Sequence, residues 1–221
     1  ITTHELHAHV GFMADDMLEG REAGTRGGHA AARYIVSRLE ESGLKPGGPN
    51  ASFTQPFPGN AQNILAVLEG TDPNLKHEYI VVGAHYDHVG YGTRRNSYGP
   101  IGFIHNGADD NASGVATLLE VIDALTQTAH RPRRSILFAF WDGEEKGLLG
   151  SKHWMRSPTV PVSDIRLAWN IDMVGRLEGG RIEVMGARTG IGMRQLLSSS
   201  ALDDGVWVDF TWEFKDNSDH W

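Results

Sequence analysis

Two adjacent glutamates, Glu144 and Glu145, follow an apolar stretch in the segment FAFWDGEEKGLLGS, residues 138–151. Like charges on neighbouring residues usually mark a solvated turn, and that interpretation requires no chemistry. Carboxylates can also bind a divalent cation or move a proton, provided that other parts of the chain bring matching groups to the same place. The pair is therefore either a turn or part of an active site, and the rest of the chain must decide.

A histidine and an aspartate stand two residues apart at the end of a second apolar stretch, VVGAHYDHVG. In an extended strand such residues share a face, so Asp87 can reach the same side as the imidazole of His85. This suits a metal-binding histidine whose other ring nitrogen is held by a carboxylate, although a structural hydrogen-bonding pair is the commoner explanation of the motif alone. His77, His88 and His105 have no such partner in the sequence, and we assign them no functional role.

Further candidates come from three other segments. Asp109 and Asp110 lie in GADDNASG just before a predicted helix, where an aspartate either caps the helix or, on this glycine-flanked loop, bridges two cations. Asp172 ends the apolar run RLAWNID, where a structural ion pair is the alternative. His220 lies in NSDHW near the end of the sequence, a place that is ordinarily uninformative.

Taken together, these groups favour a metal centre. They provide two imidazoles and three carboxylates, enough for two divalent ions that share one bridging carboxylate and have one histidine each: His85, Asp110, Glu145, Asp172 and His220. Nitrogen and oxygen ligands without sulfur are compatible with zinc and also with manganese or cobalt. The composition of the set does not choose among these metals.

Strand-like and helix-like segments alternate along the chain. Periodic apolar residues predict helices at residues 28–42, 113–125 and 192–202, and Lys45 to Asn60 concentrates proline and glycine as an irregular connection. Short apolar runs predict strands at residues 63–70, 79–85, 135–141, 166–172, 181–186 and 206–214. This order predicts an α/β fold with a mostly parallel or mixed sheet and helices on both faces. In such sheets ligands bind at the carboxyl ends of the strands, where the candidate residues stand.

Composition limits the functions to consider. A chain of 221 residues suits one α/β domain with a sizeable core. With a formal net charge of −8 and no basic block, the sequence favours neither a nucleic-acid nor an anionic-membrane partner, and small or peptide-like partners fit better. The absence of cysteine rules out disulfides and thiolate metal sites. No apolar run approaches the roughly 18 residues of a membrane span, and because the chain begins at Ile1 we expect any targeting peptide to have been removed or left out.

The motifs resemble those of the M28 zinc metallopeptidases, the family of bacterial leucyl aminopeptidase. AHYDHVG, GADDNASG, FWDGEEKGLLGS, NIDMVGR and NSDH occur in the family's order, and the N-terminal LEGREAGTRGG is also similar. The resemblance implies a three-layer α/β/α sandwich with a mixed, largely parallel central sheet. It also implies that residues 1–221 are a single catalytic domain. Family members generally continue after the position of His220, so whether this domain is complete or truncated at its C terminus stays open.

The resemblance also implies a role for each candidate residue. His85, Asp110 and Asp172 would hold one zinc ion, and Asp110 would bridge to a second. Glu145 and His220 would complete the second site. Asp87 matches the acid that orients the first histidine, and Glu144 matches the general base, so the adjacent glutamates would divide metal binding and proton transfer between them.

The expected activity is that of a dinuclear zinc aminopeptidase, secreted or periplasmic, acting on peptides with a free N-terminus. Two alternatives belong to other classes: a glutaminyl-cyclase-like acyltransferase with a single zinc, and a metal-free peptide-binding relative. The presence of both His85 and Asp172 argues for two ions rather than one. A metal-free relative would be expected to have lost ligands or the base, and in this sequence none of them is missing.

Overall fold

The computed structural model describes residues 1–97, 99–129, 131–203, 205–211 and 217–220. Its helices are α1 (Thr3–Met13), α2 (Arg26–Glu41), α3 (Gly114–Gln127), α4 (Leu149–Arg156) and α5 (Met193–Asp203). Its strands are β1 (Lys45–Pro46), β2 (Thr54–Phe57), β3 (Ala61–Leu68), β4 (Tyr79–His85), β5 (Ser135–Trp141), β6 (Ile165–Asn170), β7 (Arg181–Val184) and β8 (Trp207–Phe210). Within the described residues no helix is long and apolar enough to cross a membrane.

The main sheet is mixed, in the order β1-β3-β5-β4-β6, with β2 paired to β3. Strands β1, β2 and β5 run antiparallel to β3, whereas β5, β4 and β6 run parallel to one another. The parallel register pairs His85 with Trp141 and Gly83 with Asn170. Because the three parallel strands end together, the segments that follow them meet at one edge of the sheet.

Helices cover both faces of this sheet, which confirms the predicted α/β architecture. Alternate residues of β5 point to opposite sides: Phe138 and Phe140 pack in one core with residues of α2 and α3, while Leu137 and Ala139 pack in another with Trp154 of α4. All of β5 is buried, because each face of the strand has its own covering layer. This explains why its sequence is a continuous apolar run rather than an alternating one.

Several elements differ from the sequence prediction. The segment expected to be irregular contains β1 and β2, and β2 forms a hairpin with β3 in which Pro56 lies opposite Gln62. Since β2 pairs only with β3, it is an edge strand, where a proline without an amide hydrogen is tolerated. Helix α1 was not predicted; its sequence THELHAHVGFM is rich in polar residues, and Thr2 caps it by accepting a hydrogen bond from the Glu5 amide at 3.3 Å. Of the strand predicted at 206–214, residues 212–214 lie outside the described part of the chain.

Candidate metal centre

The candidate residues converge where the parallel strands end. His85 is the last residue of β4, and Asp87 follows it by two positions. Glu144 and Glu145 lie just beyond the end of β5. Asp172 follows the end of β6, and Asp110 comes from the loop that leads into α3.

The first group of ligands is formed by His85, Asp110 and Asp172. Nε2 of His85 lies 3.2 Å from Oδ1 of Asp110 and 3.2 Å from Oδ1 of Asp172. The three ligand atoms lie within 4.8 Å of one another, which is close enough to hold one metal ion. Burial lowers the pKa of His85, but hydrogen bonds with Asp110, Asp172 and Asp87 outweigh burial and raise the pKa well above its usual value. The surroundings of this ring therefore stabilise positive charge.

Asp87 links His85 to the glutamate pair. Nδ1 of His85 lies 3.2 Å from the main-chain oxygen of Asp87 and 3.6 Å from its carboxylate Oδ1. The same carboxylate accepts hydrogen bonds from the amides of Glu144 at 3.0 Å and Glu145 at 3.4 Å. Asp87 is fully buried; its main-chain oxygen contacts the imidazole, while its carboxylate lies near the same ring and fixes the turn after β5.

A second group contains His88, Asp110 and Glu145. Nδ1 of His88 lies 2.6 Å from Oε1 of Glu145 and 3.8 Å from Oδ2 of Asp110. Asp110 is thus common to both groups, as a bridging ligand must be. The sequence did not mark His88 as a ligand because its partners in this group, Asp110 and Glu145, are 22 and 57 positions further along the chain. The available signal was its place just after His85, at the end of a strand that already carried a candidate ligand.

His220 is not in either of the two groups found among the described residues. Its neighbours nevertheless lie against the site: the Ser218 hydroxyl donates a hydrogen bond to Oδ2 of Asp172 at 2.5 Å and accepts one from the Asn170 side chain at 2.8 Å. The Ser151 hydroxyl donates to Asp219. Burial raises the pKa of Asp219 to about 7. The assignment of His220 as a ligand stays a prediction.

Glu144 lies beside the two groups and belongs to neither. Burial raises its pKa to about 8; the charge of His85 opposes this rise, and the carboxylates of Asp219, Asp172 and Asp87 add to it. A carboxyl group whose pKa lies near neutrality is suited to accepting and then donating a proton. The adjacent glutamates thus occupy different environments, with Glu145 in a group of ligands and Glu144 outside it.

Arg21, from the LEGREAG segment, holds the framework of the site together. Its side chain is fully buried and donates hydrogen bonds to main-chain oxygens of segments far apart in the sequence. The acceptors are Met13 at 2.5 Å, Tyr86 at 2.9 Å, Asn106 at 2.6 Å, Gly107 at 2.9 Å and Asp110 at 3.4 Å. Burial lowers the pKa of Arg21 to about 10, against the attraction of Asp87, Asp110 and Glu145, so the guanidinium remains charged at neutral pH.

The two aspartates of GADDNASG have different tasks. Asp109 accepts a hydrogen bond from the amide of Gly175 at 2.8 Å, whereas Asp110 faces His85. The Asn111 side chain accepts a hydrogen bond from the amide of Gly114, the first residue of α3, at 3.0 Å, and it also donates to the Ile171 carbonyl at 2.9 Å. The loop before α3 is therefore tied to the segment that carries Asp172, and neither aspartate is needed as the helix cap.

Comparison with known proteins places the chain in a family. The model of "Peptidase family M28" matches residues 63–221, which is more than half of the sequence. The chain belongs to peptidase family M28.

Among the curated relatives of this M28 chain is leucine aminopeptidase 1 of Grosmannia clavigera, which is 29% identical over 170 residues, covering 72% of the chain and 39% of the relative. The chain spans 31–41% of the length of the first curated relatives that it matches. Two solved structures share the fold. A Zn-dependent exopeptidase from Parabacteroides distasonis has a TM-score of 0.74 at 22% identity, with 99% of this chain and 78% of the other covered. A glutaminyl cyclase from Porphyromonas gingivalis has a TM-score of 0.73 at 21% identity, with 99% and 78% covered.

The chemistry of the side chains at this site, considered without the family, is also suited to binding a metal ion. Nδ1 of His88 and Oε1 of Glu145 are shielded from solvent, and neither has a hydrogen-bond partner among the described residues. Buried polar atoms without partners are rare in proteins and call for an explanation, of which a bound ion is one. Histidine nitrogen and carboxylate oxygen are also the donors that zinc accepts when no thiolate is present.

Proposed function

We propose that this M28 chain carries the catalytic centre of a dinuclear zinc aminopeptidase. The observation that supports this most strongly is the pair of histidine-carboxylate groups that share Asp110, with the ionisable Glu144 beside them. In the proposal, His85, Asp110 and Asp172 hold one ion. Asp110, Glu145 and His220 hold the other, and His220 is included because of the family resemblance. Manganese or cobalt would fit the same donors.

Zinc in these positions would supply Lewis acidity, which polarises a peptide carbonyl and makes a water molecule more acidic. The residues of the chain do the rest. Glu144, which lies outside both ligand groups, accepts a proton from the attacking water and delivers it to the departing amine. Asp87 keeps the His85 ring oriented and holds the main chain at Glu144, so the base stays at a fixed distance from the ligands.

The choice of an exopeptidase rests on charge. A free α-ammonium group of a substrate would find several carboxylates within the site, whereas a blocked N-terminus would not benefit from them. We therefore propose peptides with a free N-terminus as substrates. A secreted or periplasmic location is proposed from the family resemblance alone.

The test combines metal analysis with a substrate panel. Purified protein should contain two equivalents of zinc and should cleave aminoacyl-anilides but not their N-acetylated counterparts. A single equivalent, together with cyclisation of peptides that begin with glutamine, would instead support the glutaminyl-cyclase alternative. Protein that binds no metal and cleaves none of the anilides would refute both catalytic proposals.

Replacement of each glutamate tests their separate roles. Glu144→Gln keeps the shape but removes the proton acceptor, so it should retain two zinc ions while kcat falls by about 10²–10⁴-fold. Glu145→Gln should instead lower metal occupancy, and added zinc should restore part of the activity. Glu40→Gln, an exposed glutamate of α2, is the matched control and should behave like wild type. If Glu144→Gln loses metal and Glu145→Gln keeps it, the roles are reversed.

A further inference from the structure

His88 lies in the centre through main-chain contacts that fix its position. Its amide donates a hydrogen bond to the carbonyl of Arg21 at 3.2 Å, and residues Glu22 and His88 form a parallel bridge. The loop that carries Asp110 passes close to the ring: a Cβ atom at Gly107 would lie 2.7 Å from Cδ2 of His88. Only glycine therefore allows this close approach. The loop leaves the His88 side chain 12% exposed.

The ring faces Glu145 in an arrangement that a hydrogen bond does not account for. Nδ1 of His88 and Oε1 of Glu145 are 2.6 Å apart, yet neither atom has a hydrogen-bond partner among the described residues. A lone pair on Nδ1 would repel the carboxylate at this distance. Relief requires either a hydrogen on Nδ1, in the neutral or the protonated ring, or a metal ion bound to both atoms.

Asp110 favours the metal ion. Its Oδ1 faces His85 while its Oδ2 faces His88 at 3.8 Å, so the two oxygens of one carboxylate point to the two groups. An ion pair between His88 and Glu145 alone would not need this third residue. We propose that His88 is a ligand of the second metal ion and contributes its Nδ1 beside Asp110 and Glu145.

This inference rests on the proposed dinuclear function and extends it. With the predicted ligand His220, the second ion would have two nitrogen and two oxygen donors, and four donors of this kind are typical of zinc. His88 is not among the three proposed donors of the first ion. It should therefore raise the affinity of the second site and leave the affinity of the first site unchanged.

The chain offers a direct test because it contains no cysteine. His88→Cys places the only thiol of the protein at the proposed ligand position, where a metal would bind it as thiolate. The protein loaded with Co²⁺ should then show a sulfur-to-cobalt charge-transfer absorption that wild type does not have. His77→Cys, at an exposed position before β4, is the matched control and should show none.

Zinc release provides a second measurement that does not depend on activity. Holoprotein is mixed with a chromophoric chelator, and the release of each equivalent is followed. His88→Ala should release one equivalent at least about tenfold faster than wild type, with the other equivalent unchanged. Release at the wild-type rate from His88→Ala, or two bound cobalt ions without charge-transfer absorption in His88→Cys, would overturn the assignment. Wild-type protein that binds no metal would refute the dinuclear proposal itself, an outcome distinct from either of these.

Discussion

Replacement of Arg21 by lysine should strongly destabilise the protein even though the charge is kept. The guanidinium donates to five main-chain oxygens in different directions. An ammonium group has three donors on one nitrogen and cannot reproduce the planar arrangement of the guanidinium donors, so at least two of these bonds are lost. Each hydrogen bond to a charged group contributes about 1.5–3 kcal/mol, so we expect the free energy of unfolding to fall by about 3–6 kcal/mol.

That loss is a large share of a total stability that is typically about 5–15 kcal/mol. The assay is thermal and denaturant unfolding of Arg21→Lys and wild type at matched zinc concentration, because bound metal itself stabilises the folded state. For a chain of this size each kcal/mol corresponds to about 2–4 °C in Tm. Arg26→Lys is the matched control: Arg26 pairs with Glu19 at 2.6 Å but is 83% exposed, so its replacement should change stability by less than about 0.5 kcal/mol.

If the free energy of unfolding of Arg21→Lys lay within about 1 kcal/mol of wild type, the bonds of the guanidinium would not stabilise the protein as expected. An equally large loss of stability in Arg26→Lys would also contradict the expectation, because the loss would then not depend on the buried hydrogen bonds of the Arg21 guanidinium. A loss of stability with metal content unchanged would show that the guanidinium supports the fold without shaping the site.

Two further substitutions test the sharing of ligands. Asp110→Asn should reduce metal content more than loss of either His85 or His220, since only Asp110 is proposed to touch both ions; a variant that keeps two tightly bound ions by elemental analysis would contradict the bridge. Asp87→Asn should lower activity or metal affinity by about 10–100-fold without abolishing binding, because Asp87 contacts a metal ligand and not the metal itself. Unchanged kinetics and metal affinity would leave Asp87 a purely structural residue.

The sequence allowed the strands of the centre to be predicted well, for a physical reason. Strands β4 and β5 have covering layers on both faces, so most of their residues must be apolar, and polar residues can reappear only where the strands end. Parallel pairing then places these ends at one edge of the sheet, so their proximity can be predicted once the strands are known. The approach of Asp172 to His85 follows from that logic, whereas Asp110 reaches them from the loop before α3, and the structure places the three together.

The contributions of Arg21 and His88 could not be predicted in the same way. The acceptors of Arg21 are main-chain oxygens, which every residue has, so no side-chain pattern marks them. His88 depends on a loop that passes close at Gly107 and on a glutamate from another strand end. Both depend on tertiary packing, and the local signals in the sequence are the glycines of LEGREAG and GADDNASG and the place of His88 just after His85.

Charge balance connects these residues to the need for cations. Around the centre, six carboxyl groups face one buried guanidinium and two imidazoles: Asp87, Asp110, Glu144, Glu145, Asp172 and Asp219. These carboxyl groups are buried or partly buried, so protons or metal ions that neutralise part of their charge would stabilise the site. The pKa values of Glu144 and Asp219, raised to about 8 and about 7, show that proton uptake is one route. Glu144 is in neither ligand group, so bound cations would leave its carboxylate free. By offsetting the charge of the neighbouring carboxylates they would lower its pKa from about 8, and the ionised form is the one that takes up a proton as base and then returns it as acid.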